Sequence, residues 1–423
     1  MTNKPTIGFA GMTHLGLIMA SAVASRGFGT VCYDQDASLV ERLKGGGLPV
    51  NEPGLDDLIR QNGARQHFSA DPAALTDCDV VYISVDVPTD DTGRSDLSTI
   101  RAMIDRVAGV LAPHAYMVIL CQVPPGFTRS VSSVPHDRLY YQVETLVFGR
   151  AVERALRPER YIVGSPNPEF PLPLPLATLL GAFGCPLLVM RYESAELAKI
   201  AINCCLVASV SVANTLAELS EATGADWSEI VPALRLDERI GPKAYLSPGL
   251  GIAGGNLERD LTTVVDLAER SGTDSGVIRA FIANSRHRAG WARAEARRVL
   301  AGTGGRIAIW GLAYKENTHS IKNSPSLATI AGLQDIPLTV HDPVVPASVV
   351  DHPRVKHAET PLDALEGADL LLIMTPWAQY RGIAPAEIAA RMAGKVVIDP
   401  FRVLGGSEAA AAGLDYRTLG VSK

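Results

Sequence analysis

Residues 7–16 read Ile7-Gly8-Phe9-Ala10-Gly11-Met12-Thr13-His14-Leu15-Gly16, and this stretch decides the fold. A short apolar run stops at Gly11 and a helical pattern opens just after it. The spacing is GxGxxG with Thr13 standing at the second glycine. The first glycine of such a motif makes a tight turn, the second lets backbone approach a pyrophosphate, and the third lets helix pack on strand. The N–H groups at the start of the helix then receive the phosphates. Asp34 closes the next apolar run, about twenty residues on, where a carboxylate accepts both ribose hydroxyls. That acid argues for NAD over NADP, because it would repel a 2′-phosphate. Gly11, Thr13, Leu15, Gly16 and Asp34 are the candidate cofactor residues. The degraded motif alone is also compatible with a plain strand–turn–helix. Thr13 is expected to crowd the pyrophosphate and lower affinity.

Outward from this turn, apolar runs recur at 6–10, 30–33, 80–85, 117–121, 161–163 and 186–190, with helical stretches between them. Their continuous rather than alternating hydrophobicity fits strands covered on both faces by helices in a parallel sheet. From 194 to 223 the pattern becomes one long helix without Gly or Pro. Its apolar residues cover more than one face, as expected of a helix packed on its own domain and on a second subunit. Further helices are predicted at 227–235, 257–269 and 277–300. The Gly-rich break at 302–305 reads as a linker. Strand-like runs return at 306–310, 338–341, 370–374 and 396–398. The expected fold is therefore α/β, with two Rossmann-like, doubly wound parallel-sheet domains joined by a long central helix. Its divisions are a cofactor domain at 1–191, a helical dimerisation domain at 192–302 and a substrate domain at 303–423.

The bulk numbers set limits on function. The 423 residues are 47% hydrophobic and 20% charged, with a net charge of −6 and no basic stripe. Nucleic acid is not an expected partner. No signal-peptide pattern opens the chain, and no apolar run is expected to reach membrane-spanning length free of Gly, Pro and charge. The six cysteines are scattered without a CxxC, which favours free thiols in a reducing compartment. No HxH or HExxH pair suggests a metal site. The cytoplasm is the expected location.

Residues 245–260, YLSPGLGIAGGNLERD, form a Gly- and Pro-rich loop that can be neither helix nor strand interior. This loop, the DERIG ahead of it and Asp260 resemble the signature of the UDP-glucose/GDP-mannose dehydrogenase family, written roughly PGxGxGGxCFPKD. The resemblance covers nearly the whole chain. Glu52-Pro53-Gly54-Leu55 resembles its EPGL. Val85 to Pro88 with Asp96-Leu97-Ser98 resembles VxTPxxxxGxxDLS, and Val123 to Gly126 resembles STVPxGT. Residues 144–164 are similar to EFLxEGxAxxDxxxPxRIVIG, and Ala195-Glu196 through Asn203 to AExxKxxxN. Gly311 to Lys315 resembles GLAFK, and His341-Asp342-Pro343 resembles YDP.

The resemblance implies oxidation of a nucleotide sugar at a C6 alcohol. In a first stage, water held by Asp260 and Lys199 takes the alcohol proton, and Lys199 and Asn203, four apart on one helix, converge on the oxyanion. In a second stage, a cysteine captures the aldehyde, and a threonine and glutamates assist thioester hydrolysis. Here the cysteine is Asn256, the threonine is Gln122 and the second glutamate is Phe148; Glu144 is kept. The resemblance also assigns Val85, Pro88 and Gln122 to the cofactor side. It gives Leu146, Tyr245, Gly249, Gly251, Gly254 and Lys315 to the substrate, and Arg239 to the neighbouring subunit's sugar. Plainer readings exist for each residue alone: Lys199 as a snorkelling helix lysine, Asp260 as a helix cap, Glu144 as a solvated acid. Cys204 and Cys205 read as core thiols rather than a substitute nucleophile.

The expected activity is an NAD-dependent dehydrogenase acting on a nucleotide sugar, a UDP-hexose, whose oxidation stops at a carbonyl after one hydride. A redox-neutral epimerase with retained cofactor, a full four-electron 6-dehydrogenase and a silent binding homologue remain as alternatives. A homodimer through the central helix is expected.

Overall fold

The protein is described here from a computed structural model, which covers residues 4–90, 93–301 and 305–422. Of the predicted 302–305 linker, only Gly305 lies within the described residues. The chain divides into two compact units, one ending at Ile202 and the other starting at Asn203.

The first unit is built on β1 (Ile7–Ala10), β2 (Thr30–Tyr33), β3 (Gln66–Ser69), β4 (Val80–Ile83), β5 (Tyr116–Ile119), β6 (Leu139–Gln142), β7 (Tyr161–Ser165) and β8 (Leu187–Arg191). They form one sheet in the order β3-β2-β1-β4-β5-β6-β7-β8. The order reverses between β1 and β4, which opens a crevice beyond the carboxyl ends of these strands. All four residues of β1 and of β4 are buried, so both faces of the sheet are covered. Phe9 stacks on Tyr82 with centroids 5.1 Å apart, and burying such a ring contributes about 1.5–3 kcal/mol. One departure from an all-parallel sheet occurs: β6 pairs with β7 antiparallel, and β8 follows β7 in parallel. The last two strands therefore run against the other six.

The second unit holds β9 (Ile307–Trp310), β10 (Leu338–His341), β11 (Val355–His357), β12 (Leu370–Ile373), β13 (Val396–Ile398) and β14 (Asp415–Arg417). Their order is β11-β10-β9-β12-β13-β14 and every pairing is parallel. This is the same 3-2-1-4-5-6 winding as the first six strands of the other sheet. Ahead of it come the helices Trp227–Leu236, Asn256–Ser271, Gly276–Ala289 and Trp291–Val299. The single helix expected over 277–300 breaks at Gly290, whose N–H bonds back to the His287 carbonyl.

The helix Tyr192–Thr223 begins in the first unit and ends in the second. Here the expectation about apolar runs fails: residues 200–217 contain no glycine, proline or charge, and the helix is long and apolar enough to cross a bilayer. Packing on more than one side explains the composition. Val207 joins Leu261, Val265 and Ile278 in one cluster, while Ala213 and Ala217 pack on Trp227 in another.

Candidate active site

The cofactor turn is sterically fixed. Gly11 has φ +105°, and a Cβ there would lie 2.6 Å from the Val85 side chain. A Cβ on Gly16 would come within 1.9 Å of the Gly11 carbonyl oxygen. No side chain fits at either place, so the chain can cross the end of the sheet and enter the helix His14–Ser25 at once. Thr13 is the residue before that helix, and its Oγ1 donates to the Ser84 carbonyl at 2.9 Å. The hydroxyl is thus bound to the end of β4. Leu15 packs against the core beneath the turn. Asp34 follows β2, where Oδ2 accepts from the Met12 N–H at 2.7 Å and Oδ1 from the Asp36 N–H at 3.0 Å. Each carboxylate oxygen has about two acceptor positions, so Asp34 retains capacity for ribose hydroxyls. The glycine cradle and this spare capacity suit a dinucleotide. Val85 is buried against Gly11; Pro88 accepts from the Asp96 N–H at 2.8 Å, and Gln122 is part-buried beyond β5.

The 144–149 loop lies in the same unit. Lys199 Nζ donates to the Glu144 carbonyl at 2.8 Å and pairs with its carboxylate at 3.3 Å, both side chains being largely buried. The Glu144 carboxylate also accepts from the Leu146 N–H. Leu146 is part-buried against the core. Two acids quoted among the motifs, but given no role there, hold this region together. Glu52 is buried and accepts from Gly149 N–H at 3.0 Å and Ala151 N–H at 2.7 Å. Glu196 is fully buried and accepts from Gly126 N–H at 2.6 Å and Thr128 N–H at 2.8 Å. Burial raises the Glu196 pKa while those donors oppose the shift.

In the second unit Asn203 Nδ2 donates to Asp260 Oδ2 at 2.5 Å, and Asp260 is buried beside Arg259. Asn256 is exposed at the first position of its helix, one turn ahead of Asp260. The glycine loop before it is bound on several sides. Gly249 N–H donates to Asn214 Oδ1 at 2.8 Å, so that donor already has a protein partner. Gly251, at φ +81°, passes so close to Ser285 that a Cβ would lie 2.4 Å from its carbonyl oxygen. Gly254 lies against Tyr314, donates to the Lys322 carbonyl at 3.1 Å and accepts from Asn323 Nδ2 at 2.9 Å. Asn323 has φ +51°, a conformation that its sequence neighbourhood does not announce. Lys315 Nζ stands 5.7 Å from the Tyr314 ring centroid. Tyr245 is exposed, and the exposed Arg239 bonds to Asp237 at 2.6 and 3.0 Å.

Three domains of one family match this chain in order: the NAD binding domain over residues 5–171, the central domain over 193–286 and the UDP binding domain over 308–406. The chain belongs to the UDP-glucose/GDP-mannose dehydrogenase family. It is similar to UDP-glucose 6-dehydrogenase TuaD of Bacillus subtilis (strain 168), at 30% identity over 98% of this chain and 93% of that protein. A UDP-glucose dehydrogenase from Pyrobaculum islandicum superposes with a TM-score of 0.86 at 27% identity, covering 98% of this chain and 97% of the other. A UDP-D-ManNAc dehydrogenase from Pyrococcus horikoshii shares the fold at TM-score 0.84 and 22% identity, over 98% and 99% of the two chains. This family member is thus an NAD-dependent oxidoreductase of the nucleotide-sugar dehydrogenase type, and NAD is its cofactor.

The expectation that Cys204 and Cys205 are both core thiols fails at Cys205, which is exposed, whereas Cys204 is half-buried. All six cysteines are unpaired. Cys204 packs among Val207, Leu257 and Leu261, and burial pushes its pKa up to about 11, with the Asp260 charge adding to the shift. It stays protonated near neutrality and is a poor nucleophile. Cys121 donates to the Val85 carbonyl at 3.0 Å inside the core.

Proposed function

We propose that this chain oxidises the sugar alcohol of a UDP-hexose by one hydride transfer and releases a carbonyl product. The observation that carries this reading is Asn256, a carboxamide at the position where the family signature has its capturing cysteine. When bound, NAD supplies the hydride acceptor. Lys199 and Asn203 offer an ammonium and an amide to the developing alkoxide, and the Asp260 carboxylate receives the hydroxyl proton through water. Loss of one proton to Asp260 and one hydride to the cofactor leaves a C=O where the CH–OH stood. Such positioned donors contribute about 10²–10³-fold each. Support comes from each unit by itself: Lys199 is held largely buried by Glu144, and Asp260 is held buried by Asn203. Gln122 and Phe148 bring neither hydroxyl nor carboxylate to the second stage.

We also propose a homodimer through the helix Tyr192–Thr223, which leaves Leu197, Val212, Leu216 and Leu219 exposed, with Arg239 offered to the neighbouring site.

The test counts NADH per sugar with UDP-glucose and a panel of UDP- and GDP-sugars, identifying products by mass spectrometry. One NADH and a carbonyl are expected. Two NADH with a uronic acid would refute the single-hydride reading, an isomer without net NADH would favour an epimerase, and no turnover a binding homologue. Asn256→Cys is expected to restore a covalent adduct, because a thiol within reach of the carbonyl forms an intermediate that yields a second hydride. With Gln122 and Phe148 in place hydrolysis is slow, so intact-protein mass spectrometry should find the sugar nucleotide attached. An unmodified variant after turnover would count against that role for position 256.

A further inference from the structure

The loop that carries Glu144 is fastened at two places, and the second lies on the cofactor turn. At the near end Lys199 grips Glu144, and Arg154 Nε donates to the Thr145 carbonyl at 2.7 Å. At the far end the buried Glu52 carboxylate takes Gly149 N–H, Ala151 N–H and His14 Nε2, the last at 2.9 Å. A carboxylate only accepts, so the imidazole donates this bond. His14 is the first residue of the helix that follows Gly11, Met12 and Thr13. Its ring also lies face to face with Phe148, with centroids 4.1 Å apart and planes at 28°. Phe148 is 42% exposed and the His14 side chain 13%, so the stack sits at the rim of the turn rather than in the core.

One imidazole therefore joins the entry of the dinucleotide helix to the loop bearing Glu144 and Leu146 through two separate contacts. A glutamate at position 148 could not supply the ring face. We infer that His14 is a positioning residue, stacked on Phe148 and bonded to Glu52, through which NAD on the glycine turn orders the 144–151 segment for the sugar nucleotide. Ordering by the first ligand lowers the cost of ordering by the second, so each tightens the other. The sugar side of this coupling rests on the proposed function and on the places the family resemblance gives Glu144 and Leu146; the cofactor side does not.

Hydrogen exchange of residues 146–151, followed by mass spectrometry with and without saturating NAD, needs no sugar substrate. In the unmodified protein NAD should slow exchange there at least about fivefold, the lower end of ordinary coupling between sites. Phe148→Ala and His14→Gln should lose most of that protection, although His14→Gln keeps a donor for Glu52. His14→Phe keeps the stacked ring without the donor and should retain part of it. Calorimetry confirms that NAD is bound in each case, and thermal melting that each variant is folded. The inference is overturned if bound NAD leaves 146–151 unprotected in the unmodified protein, or if Phe148→Ala and His14→Gln protect as well as it does. Two NADH per UDP-glucose would sink the single-hydride reading and leave the exchange result standing, so the two failures are separable.

Discussion

Gly11 and Gly311 occupy the same place in their two sheets, at the end of the first strand. Gly11 N–H donates to the Tyr33 carbonyl and Gly311 N–H to the His341 carbonyl, each at 2.8 Å. Both have positive φ, +105° and +98°, and both pass too close to the fourth strand's end for a Cβ, at Val85 and Thr375 respectively. Each turn then bonds to an aspartate that follows the second strand, Asp34 or Asp342. The likeness ends there. Asp34 holds two N–H groups, whereas Asp342 Oδ2 accepts from Leu312 N, Ala313 N and Trp377 Nε1 and Oδ1 from Val344 N and Val345 N. The first turn runs straight into the helix His14–Ser25. The second runs through Tyr314, Lys322 and Asn323, which pack on the glycine loop, before its helix begins at Pro325. The same winding therefore closes its turn differently in the two sheets, with two donors on the first aspartate and five on the second.

The largest expected effect breaks the second turn. Asp342→Ala removes the common acceptor of five donors in a site where the carboxylate is 8% exposed. Hydrogen bonds to a charged group are worth about 1.5–3 kcal/mol each, and losing two without replacement already costs more than about 3 kcal/mol. The unfolding free energy from urea titration should fall by that much, and the midpoint with it, while NAD affinity of the folded protein stays the same. A variant with an unchanged midpoint would show that Asp342 is not what closes that turn.

The corresponding change in the first turn should move the other observable. Asp34→Ala leaves only two backbone donors to find water at a part-exposed edge, so the midpoint shifts little. Removing the ribose acceptor should weaken NAD by about 1–3 kcal/mol, read by calorimetry. Tighter binding of NADP than of NAD to the unmodified protein would remove the ribose role altogether.

Much of this contrast was legible in residues 7–16 and Asp34, because a glycine turn and an acid at fixed spacing have few alternative explanations. The buried strands were legible for the same reason: β1, β4, β9 and β12 are unbroken apolar runs. The strands that escaped were β3, β6, β11 and β14. Three of these lie at sheet edges, where solvent replaces one row of partners and Lys356 or Asp415 is tolerated, while the buried Gln66 of β3 donates to Ser21 Oγ at 3.2 Å. The interior β6 reads LYYQ, and its buried Gln142 accepts from the Tyr82 hydroxyl at 2.9 Å. The reversal of β7 and β8 has no local signal, since strand direction depends on how residues 143–160 cross the sheet. On the site, the sequence offers Lys199, Asn203 and Asp260 as a spaced set, and the structure pairs Asn203 with Asp260 and Lys199 with Glu144. Glu52, Glu196 and Asn323 were not given roles, because their partners, backbone groups together with His14 and Glu258, are distant in sequence.

Thr13 gives the smallest and sharpest comparison. Both turns carry a threonine hydroxyl linking the glycine loop to the end of the fourth strand, but the direction is reversed. Thr13, in the loop, donates to the Ser84 carbonyl at 2.9 Å, whereas Thr375, on the strand side, donates to the Ala313 carbonyl of its loop at 2.7 Å. The link is common to both sheets and is therefore structural, while its placement in the first turn puts a side chain where the dinucleotide motif has glycine. Thr13→Gly removes one neutral hydrogen bond, about 0.5–1.5 kcal/mol, from the free and the bound protein alike. That loss should appear in the melting temperature and largely cancel in the binding equilibrium. Thr13 makes no side-chain cap to its helix, and glycine at this position costs only a few tenths of a kcal/mol. What remains is relief of crowding at the pyrophosphate, so NAD should bind tighter, by less than about tenfold. Weaker binding in calorimetry would mean that the Thr13–Ser84 link shapes the phosphate turn, and that the residue at the second-glycine position is a support rather than an obstruction.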